Sequence, residues 1–232
     1  NYFLVKYSNI KKITTGPFEE NCYLIYDKKK LDAVLIDPGD NEELIDSYIV
    51  KNNLSLLAVI NTHAHLDHIG AISFFQDKYN IDFYLHLNEK KILDYYEESC
   101  RLFGINPKPK PTVTKWLDSE SSLGFNDLKF TTINTPGHTP GGVSFLFNNH
   151  LFVGDTLFQG SVGRTDLPGG DYSTLQDSLR RLIALLPKET IVHSGHGPDT
   201  TLNEEFYNRK SEAIQLYDKL IKITYPKHFL DV

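Results

Sequence analysis

Three histidines and an aspartate fall within six residues of this chain: His63, His65, Asp67 and His68, in the run Asn61-Thr-His-Ala-His-Leu-Asp-His-Ile-Gly70. Imidazole and carboxylate are ligands that suit zinc, and imidazole serves iron and manganese sites as well. His63 and His65 alternate, so in an extended segment they point to one side. Asp67 and His68 are adjacent and cannot share that direction. The run therefore reads as a strand end or loop whose ligands face two neighbouring metal positions. The competing reading is a solvated histidine-rich turn before a helix. Ligand-type residues at glycine-rich turns downstream oppose it.

Three such turns each offer one residue. Thr135-Pro-Gly-His138-Thr-Pro-Gly-Gly142 presents a histidine on a glycine-lined loop. Leu151-Phe-Val-Gly-Asp155-Thr presents an aspartate after an apolar run, and Val192-His-Ser-Gly-His196-Gly-Pro presents another histidine. Each alone is weak, since a lone histidine at a turn is more often a surface residue. Together with the first cluster they make five histidines and two aspartates, each at the end of a strand-like run. A single tetrahedral zinc takes three or four protein groups. Seven candidates suit two metals sharing a carboxylate.

The elements that must position these residues alternate between strand and helix. Asn21 to Tyr26 and Ala33 to Asp37 read as a hairpin joined by a lysine-rich tip, Lys28 to Lys30. Asp37-Pro-Gly is a turn signal. Asp40-Asn-Glu-Glu43 resembles a capping box for a helix through Lys51, with Leu44, Ile45, Tyr48 and Ile49 as its apolar stripe. Leu56 to Ile60 is the strand that delivers the histidine cluster. A helix over Ile69 to Tyr79, a strand over Ile81 to Leu85 and a helix over Asn88 to Ser99 come next. The proline-rich stretch Asn106 to Pro111 is an extended loop. Its Lys108 and Lys110 are candidates to meet an anionic substrate, against a commoner role as solvated loop lysines. Further strands run over Leu128 to Ile133, Val143 to Phe147 and Leu151 to Val153. Tyr172 to Leu186 is an amphipathic helix with Leu175, Leu179, Leu182 and Leu186 inward and Ser173 to Gln176 as its capping box. Thr190 to His193 is the last strand, and Thr201 opens a terminal helix reaching Ile223. Trp116 reads as a core or lid anchor.

Composition narrows the function classes. The 232 residues are 40% hydrophobic and 23% charged, which is ordinary for a soluble globular protein. A net charge of -6 without a long charged run argues against a nucleic-acid partner. No apolar run is long enough to span a bilayer, and the amino end is not a signal peptide. The chain does not start with methionine, so a precursor segment is expected to be absent. The two cysteines, Cys22 and Cys100, form neither a disulfide framework nor a Cys-x-x-Cys site. A reducing, cytoplasmic compartment is the expectation.

The Thr62-His-x-His-x-Asp-His68 run, succeeded in order by His138, Asp155 and His196, resembles the metallo-β-lactamase superfamily, and within it the glyoxalase II-like hydrolases. The resemblance runs from Asn21-Cys-Tyr-Leu-Ile to Gly195-His196-Gly197. It implies an α/β (α+β) fold, a four-layer αββα sandwich with the metals at one edge. The catalytic domain would span residues 1–200, with residues 201–232 forming a C-terminal helix and tail packed on it. His63, His65 and His138 match the ligands of the first metal. Asp67, His68 and His196 match those of the second, and Asp155 the bridging carboxylate. Asp37 matches a supporting residue beneath the site, with turn capping as its competing role. The implied cofactors are two divalent ions, zinc first and iron or manganese as alternatives. The implied reaction is attack of a metal-bridging hydroxide on a small-molecule thioester, S-D-lactoylglutathione or a related acyl-thiol, with Asp67 orienting the nucleophile. No nucleic acid or membrane partner is implied.

Substrate recognition departs from the family pattern. Longer glyoxalase II enzymes hold glutathione with a C-terminal helical extension, whereas this chain resembles the shorter bacterial type. The family's Lys-x-Tyr pair corresponds here to Arg164-Thr-Asp166. Arg164 can bind a carboxylate bidentately, and Asp166 supplies no aromatic hydroxyl. Arg209 and Lys210 are further cations, read as a solvated helix face. The Gly163-Arg164-Thr-Asp166 run also resembles persulfide dioxygenases, whose single iron would be held by His63, His138 and Asp155. A β-lactamase is a weaker reading, and a non-catalytic metal-binding domain weaker again, because the donor set leaves room for water. His86, His150, His193 and His228 receive no role.

Overall fold

The computed structural model describes residues 8–207. Its strands are β1 (Ser8–Thr15), β2 (Glu20–Asp27), β3 (Asp32–Ile36), β4 (Ser55–Ile60), β5 (Asp82–His86), β6 (Lys115–Leu117), β7 (Ser122–Phe125), β8 (Leu128–Asn134), β9 (Val143–Phe147), β10 (His150–Gly154), β11 (Leu157–Phe158), β12 (Ser161–Val162), β13 (Ile191–Ser194) and β14 (Thr200–Thr201). The helices are α1 (Glu42–Lys51), α2 (Leu66–Ile69), α3 (Ile72–Tyr79), α4 (Lys90–Asp94), α5 (Tyr96–Leu102), α6 (Tyr172–Leu185) and α7 (Leu202–Phe206), with a 3-10 turn at Leu87–Glu89. Two six-stranded sheets form, in the orders β1-β2-β3-β4-β5-β6 and β14-β13-β10-β9-β8-β7, beside a small β11-β12 ribbon.

The period of two in the strands sorts the apolar residues into layers. From β2, β3 and β4, the side chains of Tyr23, Ile25, Val34, Ile36, Ala58 and Ile60 join Phe130, Phe145 and Phe152 of the second sheet in one buried cluster. The intervening Cys22, Leu24, Ala33, Leu35 and Val59 join Ile45, Ile49, Ile72 and Phe75 of α1 and α3. Ile133, Leu151, Val153 and Val192 meet Leu175, Leu179 and Leu182 of α6. These three cores are the interfaces of a helix–sheet–sheet–helix sandwich, as the sequence leads one to expect. Strands covered on both faces need no polar side, so all of Glu20–Asp27 is buried.

Strand directions bring the candidate residues to one edge. β3, β4 and β5 are mutually parallel. β10 is antiparallel to β9, which is antiparallel to β8, so β8 and β10 run the same way, and β13 is parallel to β10. The turns after β3, β4, β8, β10 and β13 carry Asp37, the His63–His68 run, His138, Asp155 and His196. Carboxyl ends of strands are where open α/β sheets bind ligands.

Several local expectations are corrected. The Asp40–Glu43 capping box does not form: Asn41 is the N-cap, in the left-handed region at φ 50°, without a side-chain cap bond. Asp40 instead accepts its neighbour's N–H and pairs with Lys108. Leu44, expected inward, is 53% exposed. The single helix over Ile69 to Tyr79 is two, α2 and α3, and that over Asn88 to Ser99 is broken between α4 and α5. The cap of α6 is Asp171, which accepts the Thr174 N–H at 2.7 Å, two residues before the expected Ser173. Edge strands β1, β6, β7 and β14 carry no strong apolar run, which is why the sequence does not announce them. Trp116 lies on β6 and is 39% exposed. Thr201 caps α7 as expected; the rest of the expected terminal helix, residues 208–223 with Arg209 and Lys210, and His228 beyond it lie outside the described residues. Cys22 and Cys100 are both free and buried. Among the described residues no helix is long and apolar enough to cross a membrane.

Candidate metal centre

The four contiguous residues leave β4 on a short loop that winds into α2, with His65 as the N-cap of that helix. His63 thus departs in extended chain while Asp67 and His68 sit on the first helical turn. This change of conformation splits one run between two directions. Ligand atoms of His63, His65 and His138 lie within 4.8 Å of one another, as do those of Asp67, His68 and His196. A third such group, Asp37 with His63 and His68, lies beneath them. Asp155 reaches both sides: its Oδ1 is 3.4 Å from His68 Nε2, and its Oδ2 is 3.6 Å from His138 Nε2 and 3.6 Å from His196 Nε2.

The outer ring nitrogens are held by the protein. His63 Nδ1 is 2.9 Å from Thr62 Oγ1. His68 Nδ1 is 3.1 Å from Asp37 Oδ2. His138 Nδ1 donates to the Arg164 carbonyl at 2.7 Å and His196 Nδ1 to the Phe18 carbonyl at 3.0 Å. Such bonds fix ring orientation and tautomer and leave the opposite nitrogen free for a metal. His65 is the exception: its Nδ1 turns inward, 2.9 Å from His138 Nε2. Asp37 also accepts the Thr62 N–H at 2.7 Å and the Thr62 hydroxyl at 2.6 Å. One carboxylate therefore touches His68 directly and His63 through Thr62. Its aim comes from an uncommon backbone, φ 51°, at the Asp37-Pro-Gly turn.

The donor set fits a metal pair on its own chemistry. His63 Nε2, His68 Nε2 and Asp155 Oδ1 are buried without a hydrogen-bond partner. Buried polar atoms are normally satisfied, and three orphans converging with imidazole and carboxylate neighbours are what a cation would satisfy. The two clusters differ electrostatically. Burial lowers the imidazole pKa of His63 and His138, and takes His65 down to about 3. His68 is buried and His196 partly so, but nearby carboxylates more than offset that and raise both, Asp155 and Asp67 acting on His68 and Asp67 then Asp155 on His196. Asp67 and Asp155 are lowered despite burial, His68 being the largest opposing influence on each.

Other residues come in from unexpected directions. Arg164 gives the centre its carbonyl, while its guanidinium forks onto Asp166 at 2.7 and 2.8 Å in the open. Lys108 pairs with Asp40 and Glu42, and Lys110 lies 3.8 Å from Asp94. His193, which the sequence left without a role, stacks on Phe152 and lies 3.0 Å from Asp199. Asn21 at the start of β2 donates to the carbonyls of Ser194 and Gly197 and so clasps the His196 loop across the sandwich. Gly195 has room for no side chain, because a Cβ there would lie 2.3 Å from Asp155 Oδ1. The glycine beside His196 was the signal for this tight approach.

Comparison with known proteins agrees with this geometry. Residues 15–196 match the family described as the metallo-beta-lactamase superfamily. A probable metallo-hydrolase of Bacillus subtilis, YqgX, is 38% identical over 84% of this chain and 93% of its own length. The hydroxyacylglutathione hydrolase GloC of Haemophilus influenzae is 35% identical over 88% of this chain and 100% of its own. Among solved structures, the BLEG-1 B3 metallo-beta-lactamase superposes with a TM-score of 0.80 at 40% identity, covering 85% of this chain and 96% of that one. TTHA1623 in a di-iron-bound form gives 0.77 at 38%, covering 87% and 98%. With its sandwich, its paired His/Asp clusters and a match across most of its length, the chain belongs to the metallo-β-lactamase superfamily of metal-binding hydrolases.

Proposed function

We propose that this chain is a dinuclear thioester hydrolase of the glyoxalase II type, acting on S-D-lactoylglutathione or a related small acyl-thiol. In this reading His63, His65 and His138 would hold one zinc ion and Asp67, His68 and His196 the other, with Asp155 shared between the two sets. The observation that carries it is the reach of Asp155 to histidines of both clusters. The likeness to the hydroxyacylglutathione hydrolase of Haemophilus influenzae supports the substrate class.

When bound, a pair of divalent ions supplies a water acidified toward neutral pH and a Lewis acid for the carbonyl. The protein's residues do the rest. His63 and His68 are buried, whereas Asp67 and His196 keep 19% and 27% of their side chains exposed. An incoming thioester therefore meets Asp67 and His196 first. Asp67 Oδ2, 3.3 Å from His196 Nε2, accepts a hydrogen bond from the attacking water and aims it. The thiolate leaves without a strong general acid. Arg164 draws the carboxylate of the thiol carrier, exchanging its exposed Asp166 partner for it.

The test is to purify the chain without chelator, quantify its metals and assay S-D-lactoylglutathione. Two zinc ions per chain with rapid hydrolysis are expected. One iron per chain with oxygen uptake on glutathione persulfide would replace this reading with the dioxygenase. Faster turnover of a chromogenic cephalosporin than of any thioester would replace it with a β-lactamase.

A further inference from the structure

Beneath the first cluster lies a carboxylate that the proposed chemistry does not use. Glu89, at the end of the 3-10 turn after β5, has 0% exposure. Its Oε2 accepts the Ala64 N–H at 2.8 Å and its Oε1 accepts the Gly141 N–H at 2.7 Å. Ala64 sits between His63 and His65, and Gly141 lies three residues beyond His138. The two segments come from opposite sheets, one leaving β4 and the other leaving β8. We propose that Glu89 is a positioning residue for the metal centre, a buried staple that joins the two histidine loops and sets the spacing of His63, His65 and His138. The proposal rests on the metal-binding reading of the site and not on the substrate.

The chemistry of the side chain argues for more than packing. Burial raises the Glu89 pKa, and the two backbone N–H groups, with the Thr139 hydroxyl, oppose that rise without any cation; hydrogen bonds to a carboxylate are the strong kind. Burying a carboxylate is costly, and an apolar residue would fill the space at less expense if filling were the only demand. Only a carboxylate offers two acceptor oxygens and no donor, so a glutamine would turn an NH2 against one of the two N–H groups. The fit is tight on both sides. A Cβ on Gly141 would lie 2.9 Å from Glu89 Cγ, from the Glu89 nitrogen and from His86 Nδ1. His86 in turn accepts the Asn88 N–H at 3.2 Å, which fixes the turn that delivers Glu89.

The experiment is a cobalt(II) titration of the apo chain, followed by visible absorption, in two backgrounds. His196→Ala leaves the first cluster intact, and His65→Ala leaves the second. Glu89→Gln is expected to weaken cobalt binding by about 10–100-fold in the His196→Ala background, the range for residues that support metal ligands, and to leave it unchanged in the His65→Ala background. Glu89→Asp, one methylene short of spanning both loops, is expected to behave like Glu89→Gln. Equal weakening in both backgrounds would reduce Glu89 to a general stabiliser and overturn the proposal, as would no weakening in either. Glu89→Gln keeps the volume and one acceptor, so the test survives if Glu89→Ala does not fold. Cobalt uptake is independent of turnover, so absence of thioester hydrolysis does not touch this result. A wild-type chain that takes up no cobalt overturns both readings.

Discussion

The two sheets furnish the centre in different ways. The first contributes four candidate ligands from one loop, His63 to His68, whose relative positions are set by a few backbone dihedrals between β4 and α2. The second contributes His138, Asp155 and His196 singly, from the ends of three strands whose alignment depends on the register of the whole sheet. Neither three-donor cluster belongs to one side: each takes residues from both sheets. The centre thus exists only when the sandwich is closed.

The strongest break of this comparison is at its meeting points. Asp155→Ala, which removes the carboxylate reaching both clusters, should abolish metal loading and hydrolysis together, and His65→Ala, which removes one donor of the first cluster only, should lose that cluster's metal and with it hydrolysis. Metal analysis beside a thioesterase assay checks this, and full activity in either variant would refute the dinuclear reading. Next comes Asp37→Ala. It should weaken metal binding about 10–100-fold while leaving every direct ligand in place, because Asp37 touches His68 and Thr62. Competition with a chelator reads that loss.

Acid separates the clusters by chemistry. His68 and His196 have raised pKa values, so they stay protonated to higher pH than an ordinary imidazole, and a metal must displace those protons. Affinity at that cluster therefore falls as pH drops through the raised values. His63, His65 and His138 have lowered values and are already neutral there. On acidification from neutral pH, one ion should leave first, with proton uptake, and His196→Ala should remove that first step. A pH titration of bound metal checks the order. The smallest effect is expected from Arg164→Ala. Its side chain pairs in the open with Asp166, where solvent screens the charges, while its carbonyl remains to hold His138. Metal content and melting temperature should not move, and KM for an anionic thioester should rise by a few-fold. An unchanged KM would remove Arg164 from substrate binding.

Much of the site was legible because its donors are rare residue types at turn-bounded spacings. His63, His65, Asp67, His68, His138, Asp155 and His196 stand out as letters, and the geometry brings all seven together. Their supports did not stand out, because Phe18 and Arg164 act through backbone carbonyls that any residue would carry. Glu89 lies inside the run expected as a helix over Asn88 to Ser99, where a glutamate carries no signal of its two loop contacts. Helix caps were misplaced for a related reason. Asp40 and Ser173 have the right side chains for caps, but Lys108 occupies Asp40, and Asp171 reaches the Thr174 N–H first.

The sequence by itself determined the order of strands and helices that form the cores, the alternation that splits apolar residues between two faces, and the candidate metal donors. These are local or periodic properties, written in residue type and spacing. Tertiary structure alone decided which sheet edges meet, which carbonyl holds which ring, that Asp166 engages the guanidinium of Arg164, and that Glu89 joins two loops from opposite sheets. Those contacts link residues distant along the chain through groups whose hydrogen-bonding capacity is everywhere the same. Only the packing of the two sheets selects among them.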